Sequence, residues 1–242
     1  MEKKKGILKK VILRIIGIIV LFILITIGNL MIFEKTSSAV SKGQPIDNFN
    51  EKNYALLVID IQEATTGVVS ENSFYTRNSD DLIKNINQIT ESFLHQNIPV
   101  IYIRSEITNP LINLLNNSYA KGSLGAKFDK RLNIGFGIEV VKSWNDAFLN
   151  SNLDNILSIN KINELYIVGL DAAQCINITV EAAQNRNYRI NLIEEAILSE
   201  SAKMKDSMIL SYMNRGVKVL KIDSLKFIIK NTNAHTRNQV EV

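Results

Sequence analysis

The chain has 242 residues, 46% hydrophobic and 21% charged, with one cysteine and two histidines. That composition suits a folded core and excludes general disorder, an internal disulfide framework and, with His95 and His235 so far apart, a compact histidine metal cluster. The net charge of +4 is gathered in Lys3, Lys4, Lys5, Lys9, Lys10 and Arg14, so the remainder is near neutral and no nucleic-acid surface is expected.

Residues 15–33, IIGIIVLFILITIGNLMIF, run 19 positions without a charge. As a helix they cover about 28 Å, close to the hydrocarbon thickness of a bilayer. Basic residues cluster before the run, and only Glu34 and Lys35 follow it directly. The positive-inside rule then predicts a basic cytoplasmic N-terminus (1–14), a single membrane-spanning signal anchor (15–33) and the rest of the chain outside the cell membrane. The alternative is a cleaved signal peptide ending at Ala39, but the apolar run exceeds the roughly 7–15 residues of such a core. Residues 34–48, small and polar, are expected to be a linker.

Beyond the linker, short apolar runs alternate with amphipathic ones. A buried strand is predicted at YALLVID (54–60), then a helix over 79–97 with Ser79 as N-cap, and a strand at PVIYIR. After an irregular Asn/Gly-rich passage come IEVVKS (strand), NLDNILSIN (helix), ELYIVGL (strand), AQCINITVEAAQNRN (helix), RINLIEEAI (strand), SAKMKDSMILSYMNRG (helix) and VKVLKI (strand). Six strands alternating with helices predict an α/β, doubly wound, six-stranded and mostly parallel sheet with helices on both faces, in one domain over 49–231 followed by a polar tail at 232–242. Sites in such sheets collect beyond the carboxyl ends of the strands, near the point where strand order reverses.

Asp60 closes the first strand, Lys142 closes the third, and Cys175 begins the helix after the fourth. All three can therefore project into one crevice. A helix N-terminus and a nearby ammonium are expected to lower the thiol pKa, a carboxylate to take its proton, and amides of the turn GLDAAQC to face an oxyanion. Each residue also has a plainer role: a lone cysteine is more often packing, an aspartate after a strand often a cap or turn residue, a terminal lysine often solvated. Spacing alone leaves these open.

The motifs go further. The domain resembles the isochorismatase-like cysteine hydrolases, through ALLVIDIQ, VVKSWNDAF and YIVGLDAAQCINITVEAAQNRNY in that order, with KGSLGAKFDKRL similar to a Gly-Ser-x-Gly and Asp-x-Arg-Leu passage. The resemblance implies a Rossmann-like three-layer fold and an Asp60–Lys142–Cys175 triad in which Asp60 accepts the thiol proton, Lys142 holds the charges and Cys175 forms a covalent intermediate. It implies a cis peptide at Leu170–Asp171, with the amides of Asp171 and Cys175 as an oxyanion hole. Gln62, Trp144 and Phe148 are candidate pocket residues, Trp144 being as often plain packing as pocket lining.

Departures from the family narrow the function. The segment after the first strand, EATTGVVSENSFYTRNSDD, has no histidine for a nicotinamidase metal, so no metal or other cofactor is expected. True isochorismatases lack the nucleophilic cysteine, so its presence favours attack on an amide over vinyl-ether hydrolysis. Ala172 stands where many members carry threonine. A cysteine-dependent amidohydrolase acting on a small molecule is expected, against a non-catalytic binding protein on the same fold or a thiol-independent hydrolase using Asp60. A homo-oligomer is possible within the arrangements an anchor permits. Glycosylation-like triplets at Asn116 and Asn177 are taken as chance matches, the second lying inside a predicted helix.

Overall fold

Apolar strands without alternation must be covered on both faces, which a parallel sheet achieves when its crossover helices divide between two layers. The computed structural model describes residues 2–46 and 51–225. In it β1 (Tyr54–Ile59), β2 (Val100–Ser105), β3 (Ile138–Lys142), β4 (Glu164–Gly169), β5 (Arg189–Ile197) and β6 (Lys218–Leu220) form a parallel sheet in the order β3-β2-β1-β4-β5-β6. The order runs outward one way from β1 and the other way from β4, so it reverses between those two strands. The expected polar tail at 232–242 and both limits of the expected domain, residues 49 and 231, lie outside the described residues.

Alternate side chains of the central strands feed two cores. Leu57, Ile59, Ile103 and Ile167 pack with Leu153 and Leu157 of α4 (Leu153–Ile159), Ile176 and Val180 of α5 (Cys175–Asn185) and Tyr212 of α6 (Ala202–Asn214). Leu56, Val58, Tyr102 and Val168 pack with Leu82, Ile86 and Phe93 of α2 (Ser73–Leu94) on the opposite face. Each such side chain contributes roughly 1.5–3 kcal/mol of hydrophobic stabilisation. The two central strands meet closely at Gly169, where φ is +118° and a Cβ would lie 2.0 Å from the Ile59 carbonyl oxygen. Only glycine lets β4 end there.

The structure departs from the sequence-based expectation in three places. Helix α2 starts at Ser73, not near Ser79, because Asn72 caps it by accepting from the amides of Phe74 and Tyr75. Ser79 is buried within the helix and accepts from Arg131 Nη1 at 3.1 Å. A short helix, α3 (Pro110–Leu115), interrupts the passage expected to be irregular, with Asn109 as cap and proline in its first turn.

The third departure concerns the N-terminus. Helix α1 (Glu2–Ser37) is continuous and, from Gly6 to Ser37, long and apolar enough to cross a membrane. The segment after it, expected to be a plain linker, is fastened to the sheet layers. Ser41 donates its amide to Asp146 Oδ2 at 2.7 Å, its carbonyl accepts from Asn185 and Arg186, and the Ile46 amide donates to the Arg186 carbonyl at 2.9 Å. Val40 and Ile46 pack against the core.

Candidate active site

Register places the chemistry. Because β1, β2 and β3 pair in parallel with Ile59 opposite Ile103 and Ser105 opposite Lys142, the residues ending these strands stand side by side at the carboxyl edge. Asp60 follows β1, Ser105 ends β2, Lys142 ends β3, and Cys175 opens α5 across the reversal between β1 and β4. Asp60 reaches this position with φ +54°, a left-handed conformation uncommon for a residue with a side chain. The Thr65 hydroxyl, donating to the Asp60 carbonyl at 2.6 Å, helps to hold that turn.

Lys142 is almost fully buried, and an ammonium taken out of water needs charge and hydrogen-bond partners. It has three donors and finds three acceptors: Asp60 Oδ2 at 2.9 Å, Ser105 Oγ at 2.8 Å and Cys175 Sγ at 3.2 Å. Ser105 in turn donates to Asp60 Oδ1 at 3.0 Å, which closes a ring of hydrogen bonds between the carboxylate and the ammonium. The thiol also faces Asn145 Oδ1 at 3.5 Å.

The sulfur's electrostatics reverse the expected sign. Burial pushes the Cys175 thiol up to about 12, and the neighbouring Asp60 carboxylate adds to the rise more than the Lys142 ammonium can offset. The same carboxylate and sulfur raise Lys142 despite the opposing effect of its own burial. One cation faces two groups that can each be anionic, so the site as a whole resists losing a proton, while a proton passing from sulfur to Asp60 leaves the net charge unchanged. Tyr119, at the same cavity, is raised by burial and then by Asp60 and Cys175.

A cavity of about 250 Å³ opens over the sulfur, with Asp60, Ser105, Tyr119, Trp144, Asn145 and Asp171 among its walls. The peptide Leu170–Asp171 is cis. The Asp171 carboxylate accepts from the Tyr75 hydroxyl at 2.6 Å, the Ser199 hydroxyl at 3.0 Å and the Ala173 amide at 2.6 Å, so it holds the turn in shape. Ala172 is fully buried, its amide donating to the Leu198 carbonyl and its own carbonyl accepting from Tyr212.

Two of the three candidate pocket residues do not line this cavity. Gln62 is fully buried behind it, where its amide group accepts from the Ser105 backbone at 2.8 Å and donates to the Ser105 and Ala126 carbonyls. Phe148 lies in the core, stacked on Tyr188 and under the Arg186 guanidinium. Trp144 is at the wall, against Phe33 of α1.

A model of the isochorismatase domain matches residues 54–224. The chain belongs to the isochorismatase family. Members of this family include hydrolases, and the chain is an isochorismatase-family hydrolase. It is 26% identical over 148 residues to the uncharacterized isochorismatase family protein YrdC of Bacillus subtilis (strain 168), covering 60% of this chain and 74% of that one. Among solved structures it resembles N-carbamoylsarcosine amidase from Thermoplasma acidophilum, with 26% identity, a TM-score of 0.60 and coverage of 70% of this chain and 96% of that one. A cysteine hydrolase from Pseudomonas syringae pv. phaseolicola shares the fold at 16% identity, with a TM-score of 0.67 and coverage of 78% and 99%.

Within this isochorismatase-family fold, sequence reasoning missed Ser105, Asn145, Tyr119 and Phe33. The strand-end rule that picked Asp60 and Lys142 also reaches Ser105 once β2 is extended by one residue. Phe33 carried no such signal, because it belongs to the apolar run of α1.

Proposed function

We propose that this hydrolase is a cysteine-dependent amidohydrolase acting on small amides or related C–N bonds. The observation that carries this is the placement of one buried ammonium at 3.2 Å from Cys175 Sγ and 2.9 Å from Asp60 Oδ2. As the sulfur attacks the carbonyl carbon, its proton passes to Asp60, and Lys142 stays charged beside both. The oxyanion is met by the amides of Asp171 and Cys175, the latter free of an intrahelical acceptor because it opens α5. Collapse breaks the C–N bond, the leaving nitrogen takes the proton from Asp60, and a thioester remains. Water then gives a proton to Asp60, attacks the thioester and releases the acid, the thiol recovering the proton. The chain is held at the membrane by α1, with the basic N-terminus cytoplasmic and the hydrolase domain outside.

Incubation of the protein with a pooled amide library, followed by intact-mass and peptide mass spectrometry, tests this. An acyl adduct on Cys175 is expected, and its mass names the substrate class. Turnover of an amide with no adduct under rapid quench, together with an active Cys175→Ala variant, would remove the cysteine from the mechanism.

A further inference from the structure

The cavity over Cys175 is lined not only by the sheet domain but also by the end of the apolar helix. Phe33 and Ser37 of α1 form part of its wall, the Phe33 ring meeting Trp144 at 5.8 Å between centroids. The Ser37 carbonyl accepts from the Asn145 amide at 3.1 Å, and the side chain of that same Asn145 faces Cys175 Sγ. One residue therefore separates the helix end from the sulfur. The helix is also held in place from behind, since Ser41 is bonded to Asp146 and Arg186, and Arg186 is clamped by Asp154 at 2.7 and 2.9 Å.

Phe33 is the last residue of the uncharged run, followed at once by Glu34 and Lys35. In a spanning helix such a residue sits where hydrocarbon gives way to headgroups, the depth at which tryptophan is also enriched. Trp144 lies against it, and α3, which packs on α1, exposes Leu114 and Leu115. Phe33 and Trp144 thus give the cavity an apolar wall at the level of the membrane surface, should α1 span the bilayer, with further exposed leucines on the neighbouring α3. Ile107 and Leu170 add apolar surface to the same cavity.

We infer that α1 is a wall of the reaction pocket as well as an anchor, and that the pocket takes amides from the bilayer surface, their polar head at Cys175 and their apolar part against Phe33, Trp144 and Ile107. This rests on Cys175 being the nucleophile and α1 the membrane span. A soluble, fully polar amide gains nothing from such a wall. An amphiphile both concentrates at the surface and buries its chain there.

The single cysteine makes the test direct. The full chain is placed in nanodiscs of phosphatidylcholine and phosphatidylglycerol, and alkylation by N-octylmaleimide is compared with N-ethylmaleimide. The reference is Lys203→Cys in a Cys175→Ser background, an exposed thiol on α6 beside the opposite edge of the sheet. The octyl-to-ethyl rate ratio at Cys175 is expected to exceed that of the reference by about tenfold or more, as burial of the added methylenes requires. Phe33→Glu is expected to reduce the excess. Equal ratios at the two positions in the unaltered wall would overturn the inference, whether or not the Phe33 variant folds. Labelling does not depend on turnover, so the two failures are distinguishable: equal ratios with an inactive Cys175→Ala variant remove the bilayer route alone, whereas an active Cys175→Ala variant removes the cysteine mechanism and, with it, the seating of an amide at Cys175, whatever the ratio.

Discussion

Asp60 and Cys175 share one buried cation, Lys142, and their competition for it sets the chemistry of the resting site. Because Asp60 helps to push the thiol up, removing its charge has a signed consequence. Asp60→Asn is expected to lower the apparent thiol pKa and speed iodoacetamide labelling at neutral pH, while abolishing turnover. Slower labelling of that variant would show that the carboxylate does not hold the proton on sulfur. Lys142→Met leaves Asp60 without its cation in a buried position and is expected to cost about 3–5 kcal/mol in denaturant unfolding. Asp60 and Lys142 were legible as strand-end residues and Cys175 as the start of the helix after a strand, but the direction of the thiol shift was not. A helix N-terminus and a lysine are visible in sequence, whereas the depth of burial and the carboxylate at the same sulfur exist only once β1, β3 and α5 are side by side.

Strands were the most legible elements, since continuous apolar runs such as ALLVI and LYIV read directly as central parallel strands, whereas their order in the sheet came only from the structure. Helix starts were less so. Asn72 outcompeted Ser79 as the cap of α2 because Phe74 and Tyr75 already lie in the helix, and Asn72→Ala is expected to lower stability by about 1 kcal/mol, where Ser79→Ala removes a bond to Arg131 instead. Helix α3 had its signal in the Asn109–Pro110 pair, a cap followed by proline. At the seam of β1 and β4, Gly169→Ala forces a Cβ onto the Ile59 carbonyl at a positive φ. A loss of roughly 3–5 kcal/mol, read as a shift in the urea midpoint with unchanged slope, is expected there. The docking of residues 38–46 was illegible, because small polar residues read as a linker until Asp146 and Arg186 are seen to receive their backbone groups.

At the scale of the whole molecule, a helix fit to cross a membrane and a hydrolase of the isochorismatase family meet at one cavity, and the fold's pH response follows from what that cavity buries. The thiol is raised to about 12 in the folded chain against about 8.5 unfolded. A raised pKa contributes stability that is complete below the unfolded value and lost as pH climbs through the folded one. Lys142, also raised, acts in the same sense at higher pH. Denaturant stability is therefore expected to fall from about pH 8.5 upward, more steeply than in Cys175→Ser. That the end of α1 lines the cavity could not be read from an apolar run, which specifies a helix but not what its last turn touches. The measurement closest to the central claim is amide turnover by Cys175→Ala in the whole chain reconstituted in nanodiscs, beside an unfolding curve showing that the variant folds. Loss of at least about a thousandfold in kcat/KM is expected of a covalent nucleophile, and turnover within a few-fold of the parent would contradict it.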